Sequence, residues 1–555
     1  MARPHARVAT PTMVSRRARR IPAGVWLGVL PAIFLLVFFA WPVLAILERG
    51  LTGAGGSLDP LGVLRILAEP EVWGIAGFTI GQALASTVLT LLAGLPVAWL
   101  LARVDLPGRF LLRIAVTVPF VLPTVVVGIL FRVILAPQGP LGFLGLDGTV
   151  WAILIAHVFF NIAVIARTVG SVWSTLDRRA EQAARTLGAT PWQAWRTVTL
   201  PALRPAILSA SAIVFLFCAT SFGVVLVLGG SRYRTLETEI YLQTVQAFDL
   251  RAAAALSILQ MLTIGAAILI ATLARRRRLG DGPSALAAGQ QSRPRGRQWV
   301  PVGLVLGVVA ALLVAPPLLL AWTSVRRGGS FTLEGYRLLL GGGQHEAWAA
   351  MLMSLRTATD AAVLATVLGV LAAVAITAAR GRWAIAGEAA LLAPLGISAV
   401  TVGFGLLITL GQLPGDLRSS PLVIPIAQAL IAIPLVVRVL LPALRAVDPR
   451  LREGARVLGA APLRVWASID LPLAWRSLAV AAGFAFIVSL GEFGATSFLA
   501  RAGEPTLPVL IGRLISRPGA ESYSVAMAGA VALLALTAAV IAVVEIVRVG
   551  EIGEF

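Results

Sequence analysis

The side chains in this 555-residue sequence that could do chemistry are few, and each can be weighed in turn. Glu492 stands inside an apolar run, where a carboxylate is costly unless it faces protein or water. Two roles stay open for it: lining a solute passage beside Phe493, or pairing with an arginine or a backbone group. His157 and Asn161 are one helical turn apart and share a face, which suits either an interhelical hydrogen bond or a contact with a solute. Asp360 lies one turn from Arg356, and Glu388 lies near the interfacial end of its run, so neither is assigned a role. Enzyme chemistry finds little support. The three histidines show no HExxH spacing, which leaves a zinc hydrolase without its ligands. Cys218 is the single cysteine, so no intrachain disulfide or thiolate metal cluster is expected. All 46 basic residues are arginine, whereas a GxxxxGK[ST] phosphate loop needs a lysine. No cofactor is therefore expected on this chain, and any ATP with its magnesium has to sit on a partner.

The elements that must position these residues are membrane helices. Hydrophobic residues make up 58% of the chain and charged ones 13%, with a mean hydropathy of +0.89, which a water-facing surface would not tolerate. Twelve apolar runs are long enough to cross about 30 Å of hydrocarbon. They fall near 24–47, 78–101, 111–134, 149–170, 205–229 and 252–273, then 299–322, 352–379, 384–411, 421–441, 475–499 and 523–547. The first follows Arg16, Arg17, Arg19 and Arg20 and imitates a signal peptide. It is too long, and no small-residue cleavage site follows Trp41-Pro42, so an uncleaved anchor is expected. With both termini in the cytoplasm, alternation through twelve spans puts about 32 arginines on the cytoplasmic side, as the charge-bias rule requires. The same rule accounts for the net charge of +20, including the run Arg275 to Arg278, so the expected partner is a lipid bilayer and not nucleic acid.

Residues 279–298 are polar and rich in turn formers and read as a cytoplasmic linker. The chain then divides into a cytoplasmic tail (1–23), a first six-span half (24–278), the linker, and a second six-span half (299–555). The halves are copies. An offset of 271 carries Arg167 to Arg438, Asp177 to Asp448, Arg185 to Arg456, Trp195 to Trp466 and Phe222-Gly223 to Phe493-Gly494. The same offset pairs Ser221 with Glu492. Both copies run in the same direction through the membrane, so an axis along the membrane normal relates them.

The best-matched stretch lies between spans, in the cytoplasmic loop after the fourth span of each half. In the first half it reads Glu181, Gln182, Ala183, Ala184, then Gly188, with Leu200-Pro201 beyond. In the second it reads Glu453, Gly454, Ala455, then Gly459, with Leu471-Pro472 beyond. Alanine and leucine with interspersed charge predict a short amphipathic helix ended by glycine. This duplicated pattern resembles the EAA loop of ABC-importer permeases. It departs from it in Gln182, which stands at the motif glutamate, and in Gly454, which replaces the first alanine. Within that family the chain resembles the fused permeases for thiamine and for ferric iron. The segments Ala156 to Asn161, Cys218 to Phe222 with Leu228-Gly229-Gly230, and Ser489 to Gly494 resemble those of thiamine permeases.

The resemblance implies an all-α polytopic protein of the type I ABC-importer permease kind, in a bacterial inner membrane. It implies two copies of a cytoplasmic ATPase that dock on the paired loops, and an extracytoplasmic binding protein that delivers solute. Thiamine or its phosphates lead as cargo, with ferric iron as the alternative. The expected passage lies between the halves, near His157, Asn161, Ser221, Phe222, Glu492 and Phe493. A secondary transporter driven by an ion gradient is the rival of another class, and a membrane enzyme on lipid-linked substrates a further one. The first usually needs several intramembrane carboxylates and the second a cluster of them at the membrane boundary, and the chain offers few.

Overall fold

In the computed structural model, residues 23–549 are described apart from 54–55, 231, 277–290, 328–329, 342–346, 380, 413–419 and 502. The tail 1–23, except Ala23, and the linker up to Gln290 lie outside the described residues, as do Arg277 and Arg278. Among the described residues, ten single helices are long and apolar enough to cross a bilayer. Two broken pairs, Arg109–Val121 with Thr124–Leu135 and Arg382–Gly396 with Ala399–Gln412, bring the number to twelve.

The first broken pair is a crossing, because the helices on either side of it run the same way. A Cβ on Gly94 of the second span (Pro70–Arg103) would lie 2.8 Å from Ile165 Cβ of the fourth (Val150–Thr175), and one on Gly170 3.4 Å from the Ala98 carbonyl oxygen. The contacts climb both helices together, so these helices are parallel and the chain must cross back between them.

The third and ninth spans, each expected as one apolar run, bend by 102° and 95°. At the first bend Pro123 offers no N–H and holds Leu122 extended, at φ −62° and ψ 142°. At the second, Ile397 is extended and the Ser398 hydroxyl caps the following helix by accepting from the Thr401 N–H at 3.0 Å. The fifth and eleventh spans also differ from the expected 205–229 and 475–499. Their helices run Pro191–Ala219 and Pro462–Leu490 and stop at a turn before Phe222 and Phe493. Each contains one π-widened turn, Trp195–Thr199 or Trp466–Asp470, just ahead of a Leu-Pro whose proline donates no N–H.

The repeat is visible as packing. Gly369 on the eighth span (Ala347–Ala378) faces Val436 as Gly94 faces Ile165, and an added Cβ would meet Val436 Cβ at 2.9 Å. The Thr79 hydroxyl accepts from the Leu236 N–H at 3.0 Å in one half, and Ser354 from Leu507 at 2.7 Å in the other. Small residues let these backbones approach, which is how helices associate where lipid supplies no hydrophobic drive.

The halves also interlock. Gly24 and Gly28 of the first span (Gly24–Leu51) lie against Ala378 and Ala375 of the eighth, and the seventh (Gly296–Ser324) packs on the second and third. On the opposite side, Asp59 caps the helix Pro60–Ala68 and sits 2.7 Å from Arg251; that guanidinium, with the Gly62 N–H, holds its carboxyl below the ordinary aspartate range. Within the described part of the linker, Ser292 pairs with Val104 like a strand. The Ser292 N–H reaches the Arg103 carbonyl at 3.2 Å, the Asp105 N–H reaches the Ser292 carbonyl at 3.1 Å, and Arg293 pairs with Asp105 at 3.1 Å.

Filling the crossing should unseat it. Gly94→Leu is expected to destabilise the chain by about 1–3 kcal/mol through overpacking against Ile165. Gly77→Leu on the same span, where an added Cβ meets nothing within 4 Å, should leave the thermal midpoint of the detergent-purified chain unchanged. Equal midpoints for the two variants would contradict the close approach of the second and fourth spans.

Candidate functional site

The two loop helices, Arg178–Thr186 and Pro449–Val457, have the same architecture down to single hydrogen bonds. Asp177 and Asp448 cap them, each accepting at 2.9 Å from the N–H two residues on. Gly188 and Gly459 end them in the left-handed region, at φ 93° and 81°. There the Ala189 N–H reaches back to the Ala184 carbonyl and the Ala460 N–H to the Ala455 carbonyl, at 3.1 and 3.0 Å, which satisfies carbonyls that a helix end leaves bare. An added Cβ at either glycine meets nothing within 4 Å, so backbone conformation alone demands glycine. Ala184 and Ala455 turn toward the protein, whereas Gln182, Ala183, Glu453 and Gly454 face outward. At the tips, Leu187 and Leu458 are 89% and 88% exposed, an apolar pair that water does not favour.

What seats the two helices differs. Glu181 lies 3.4 Å from the Thr199 hydroxyl in the first half. In the second, the equivalent positions hold Arg452 and Asp470, paired at 2.7 Å and largely buried, and Arg452 also donates to the Leu444 carbonyl at 2.7 Å. This ion pair was not foreseen in the sequence, although the offset of 271 would have aligned it with Glu181 and Thr199.

The six side chains expected near the axis are all buried. Phe222 and Phe493 meet across it, with ring centroids 5.3 Å apart and planes 19° from parallel. Tyr241 leans on Phe222 at 5.2 Å and edge-on against Phe498 at 5.5 Å. The stack lies at the seam between the halves, each ring following the turn that ends its span. Ser221 and His157 lie just to one side. The imidazole bridges the Ser86 hydroxyl at Nδ1, 3.0 Å, and the Ser221 hydroxyl at Nε2, 2.8 Å, tying three segments of the first half together. Asn161 donates to the His157 carbonyl at 3.0 Å and to Cys218 Sγ at 3.4 Å.

Glu492 folds back on its own chain. Its carboxylate accepts from the Ala495 N–H at 2.7 Å, the Thr496 N–H at 2.9 Å and the Thr496 hydroxyl, so both oxygens cap the short helix Thr496–Leu499. Asp360 pairs with Arg356 at 4.0 Å, and Glu388 with Arg445 at 2.8 Å. A further carboxylate escaped the sequence reading: Glu237, on the helix Leu236–Val245, is fully buried one turn before Tyr241. It falls between the fifth and sixth apolar runs, where hydropathy gives an acidic residue no prominence.

A family model described as "Binding-protein-dependent transport system inner membrane component" matches the chain twice, over residues 65–279 and 365–549. The thiamine transport system permease protein of Brucella abortus is 28% identical over 512 residues, covering 88% of this chain and 89% of that one. The molybdenum transport system permease protein of Azotobacter vinelandii is 33% identical over 173 residues, 29% of this chain and 76% of that one. Among solved structures, a bacterial ABC transporter for alginate import aligns over 46% of this chain and 96% of its own, at a TM-score of 0.39 and 19% identity.

The unequal seating gives a direct expectation. Arg452→Ala strands Asp470 and should cost about 2–3 kcal/mol, since the pair is mostly buried. Thr199→Ala removes only a long hydrogen bond and should cost about 0.5 kcal/mol. Thermal midpoints of the two purified variants check the difference.

Proposed function

The chain belongs to the family of binding-protein-dependent transport system inner membrane components, and from that premise we propose that it carries thiamine or a thiamine phosphate into a bacterial cell. As the permease subunit of an ABC importer with both halves in one polypeptide, it contributes the pathway. ATP with its magnesium is bound and hydrolysed by two copies of a separate ATPase, one on each loop helix. An extracytoplasmic binding protein delivers the solute, and both termini lie in the cytoplasm.

The observation that carries this reading is the pair of matched loop helices with bare leucine tips. A surface helix with no partner has no reason to hold Leu187 and Leu458 in water twice at the same offset. The capped, glycine-ended helix is a rigid knob, suited to passing a push from a docked subunit into the span that follows it. The Phe222–Phe493 stack at the seam would be the barrier that the push opens, by shifting the population between closed and open arrangements. Thiamine is favoured as cargo by likeness to thiamine permeases along nearly the whole of both halves.

Two experiments test the proposal. Gly188→Trp with Gly459→Trp forces a bulky residue into the left-handed region, costing about 1–2 kcal/mol at each site, and should abolish co-purification with the ATPase while membrane yield is unchanged. Normal assembly would refute the docking role. For cargo, proteoliposomes holding the full complex should take up labelled thiamine with ATP and the binding protein; uptake of ferric iron in its place would overturn that assignment.

A further inference from the structure

Glu237 is a buried carboxylate with nothing in the fold that requires it. Its counterpart in the second half is Pro508, on a helix, Leu507–Ile515, that is seated in the same way through Ser354. The architecture is therefore satisfied without an acid at this position. Its neighbours are neutral. Gln260 Nε2 donates to Glu237 Oε1 at 2.8 Å and to the Ala219 carbonyl at 3.2 Å, and Ser398, at the bend of the ninth span, stands beside the carboxylate from the opposite half. Glu237 Oε2 and Gln260 Oε1 have no hydrogen-bond partner among the described residues.

A carboxyl group shut away with one oxygen unserved is costly, by about 1–3 kcal/mol for the missing hydrogen bond alone. Such a cost is tolerated where another state of the molecule uses the group. Two contacts place Glu237 at the moving seam. Tyr241, one turn along the same helix, touches Phe222 of the closing stack, and Ser398 belongs to the half that must withdraw for the seam to open. Ala399, next to Ser398, packs where a Cβ on Gly494 would lie, 3.0 Å away, so the bend also abuts the turn that carries Phe493. Separation of the halves would take Ser398 away from the carboxyl and admit water to it, and water favours the charged form of a carboxyl.

We propose that Glu237 is the counter-charge of the transport path: buried at the closed seam, it is exposed when the halves part and selects a singly charged organic cation as it passes the aromatic stack. The inference rests on the reading of this chain as a permease for a cationic solute. It gives Glu237 the electrostatic part for which Glu492, with both oxygens turned to its own backbone, is unavailable. Phe222, Phe493 and Tyr241 beside it provide aromatic faces that a cationic ring favours.

The test uses the whole complex, with ATPase and binding protein, in proteoliposomes. Glu237→Gln keeps the shape and the bond from Gln260 but removes the charge; thiamine uptake per ATP hydrolysed should fall at least tenfold, and Glu237→Asp should restore at least a third of it. Independently of cargo, Glu237→Cys should react with a cationic methanethiosulfonate at least tenfold faster during turnover than at rest, with the unsubstituted chain as control for Cys218. Cysteine labelling during turnover in a complex that moves no thiamine would uphold the path position and reject the cargo. Wild-type thiamine uptake by Glu237→Gln, or a cysteine equally unreactive in both states, would overturn the proposal and leave the importer reading intact.

Discussion

Inside a bilayer every backbone N–H and C=O must find its partner within the protein, and each break in a helix is an exposure to that rule. This chain breaks its helices at matched places in both halves: at the bends of the third and ninth spans, and at the turns after the fifth and eleventh. All four lie toward the middle of the molecule, where the other half or a polar side chain can satisfy the loosened groups. Glu492 serves the turn before Thr496, and Ser398 serves the bend before Thr401. These four breaks thus gather at the seam, where a passage needs shape and polarity that a straight helix wall does not offer.

The same confinement separates two kinds of buried polar residue. His157 and Glu492 hold helices and turns together, with both nitrogens of the one and both oxygens of the other partnered. Glu237 and Gln260 are paired to each other but each keeps one oxygen unserved. The first group explains how the closed form is built, and the second points to a form in which other partners are available.

Much of this was legible in the residues. Run length and arginine placement gave twelve crossings, and the offset of 271 located both loop helices, their aspartate caps and their glycine ends. The bends were hidden because hydropathy does not register a turn: Leu122 and Pro123 are as apolar as their neighbours. The offset also hid a shift. Gly94 and Gly369 stand 275 apart while Ile165 and Val436 stand 271 apart, so the external loop between them is four residues shorter in the second half. Glu492 could not be assigned in advance, because its oxygens reach the Ala495 and Thr496 N–H groups only after the backbone has turned. Arg452 with Asp470, eighteen positions apart, required the π-widened turn to bring them together.

The clasp formed by Gln291, Ser292 and Arg293 on Val104, Asp105 and Arg109 has a consequence for biogenesis. The seventh span starts at Gly296, only a few residues beyond that anchorage. A finished first half can thus grip the emerging second half at its root, and the encounter of the two becomes a tethered search at high local concentration in place of lateral diffusion through lipid. Permeases made as separate chains lack that guide rope and must find each other among the crowd of other membrane proteins.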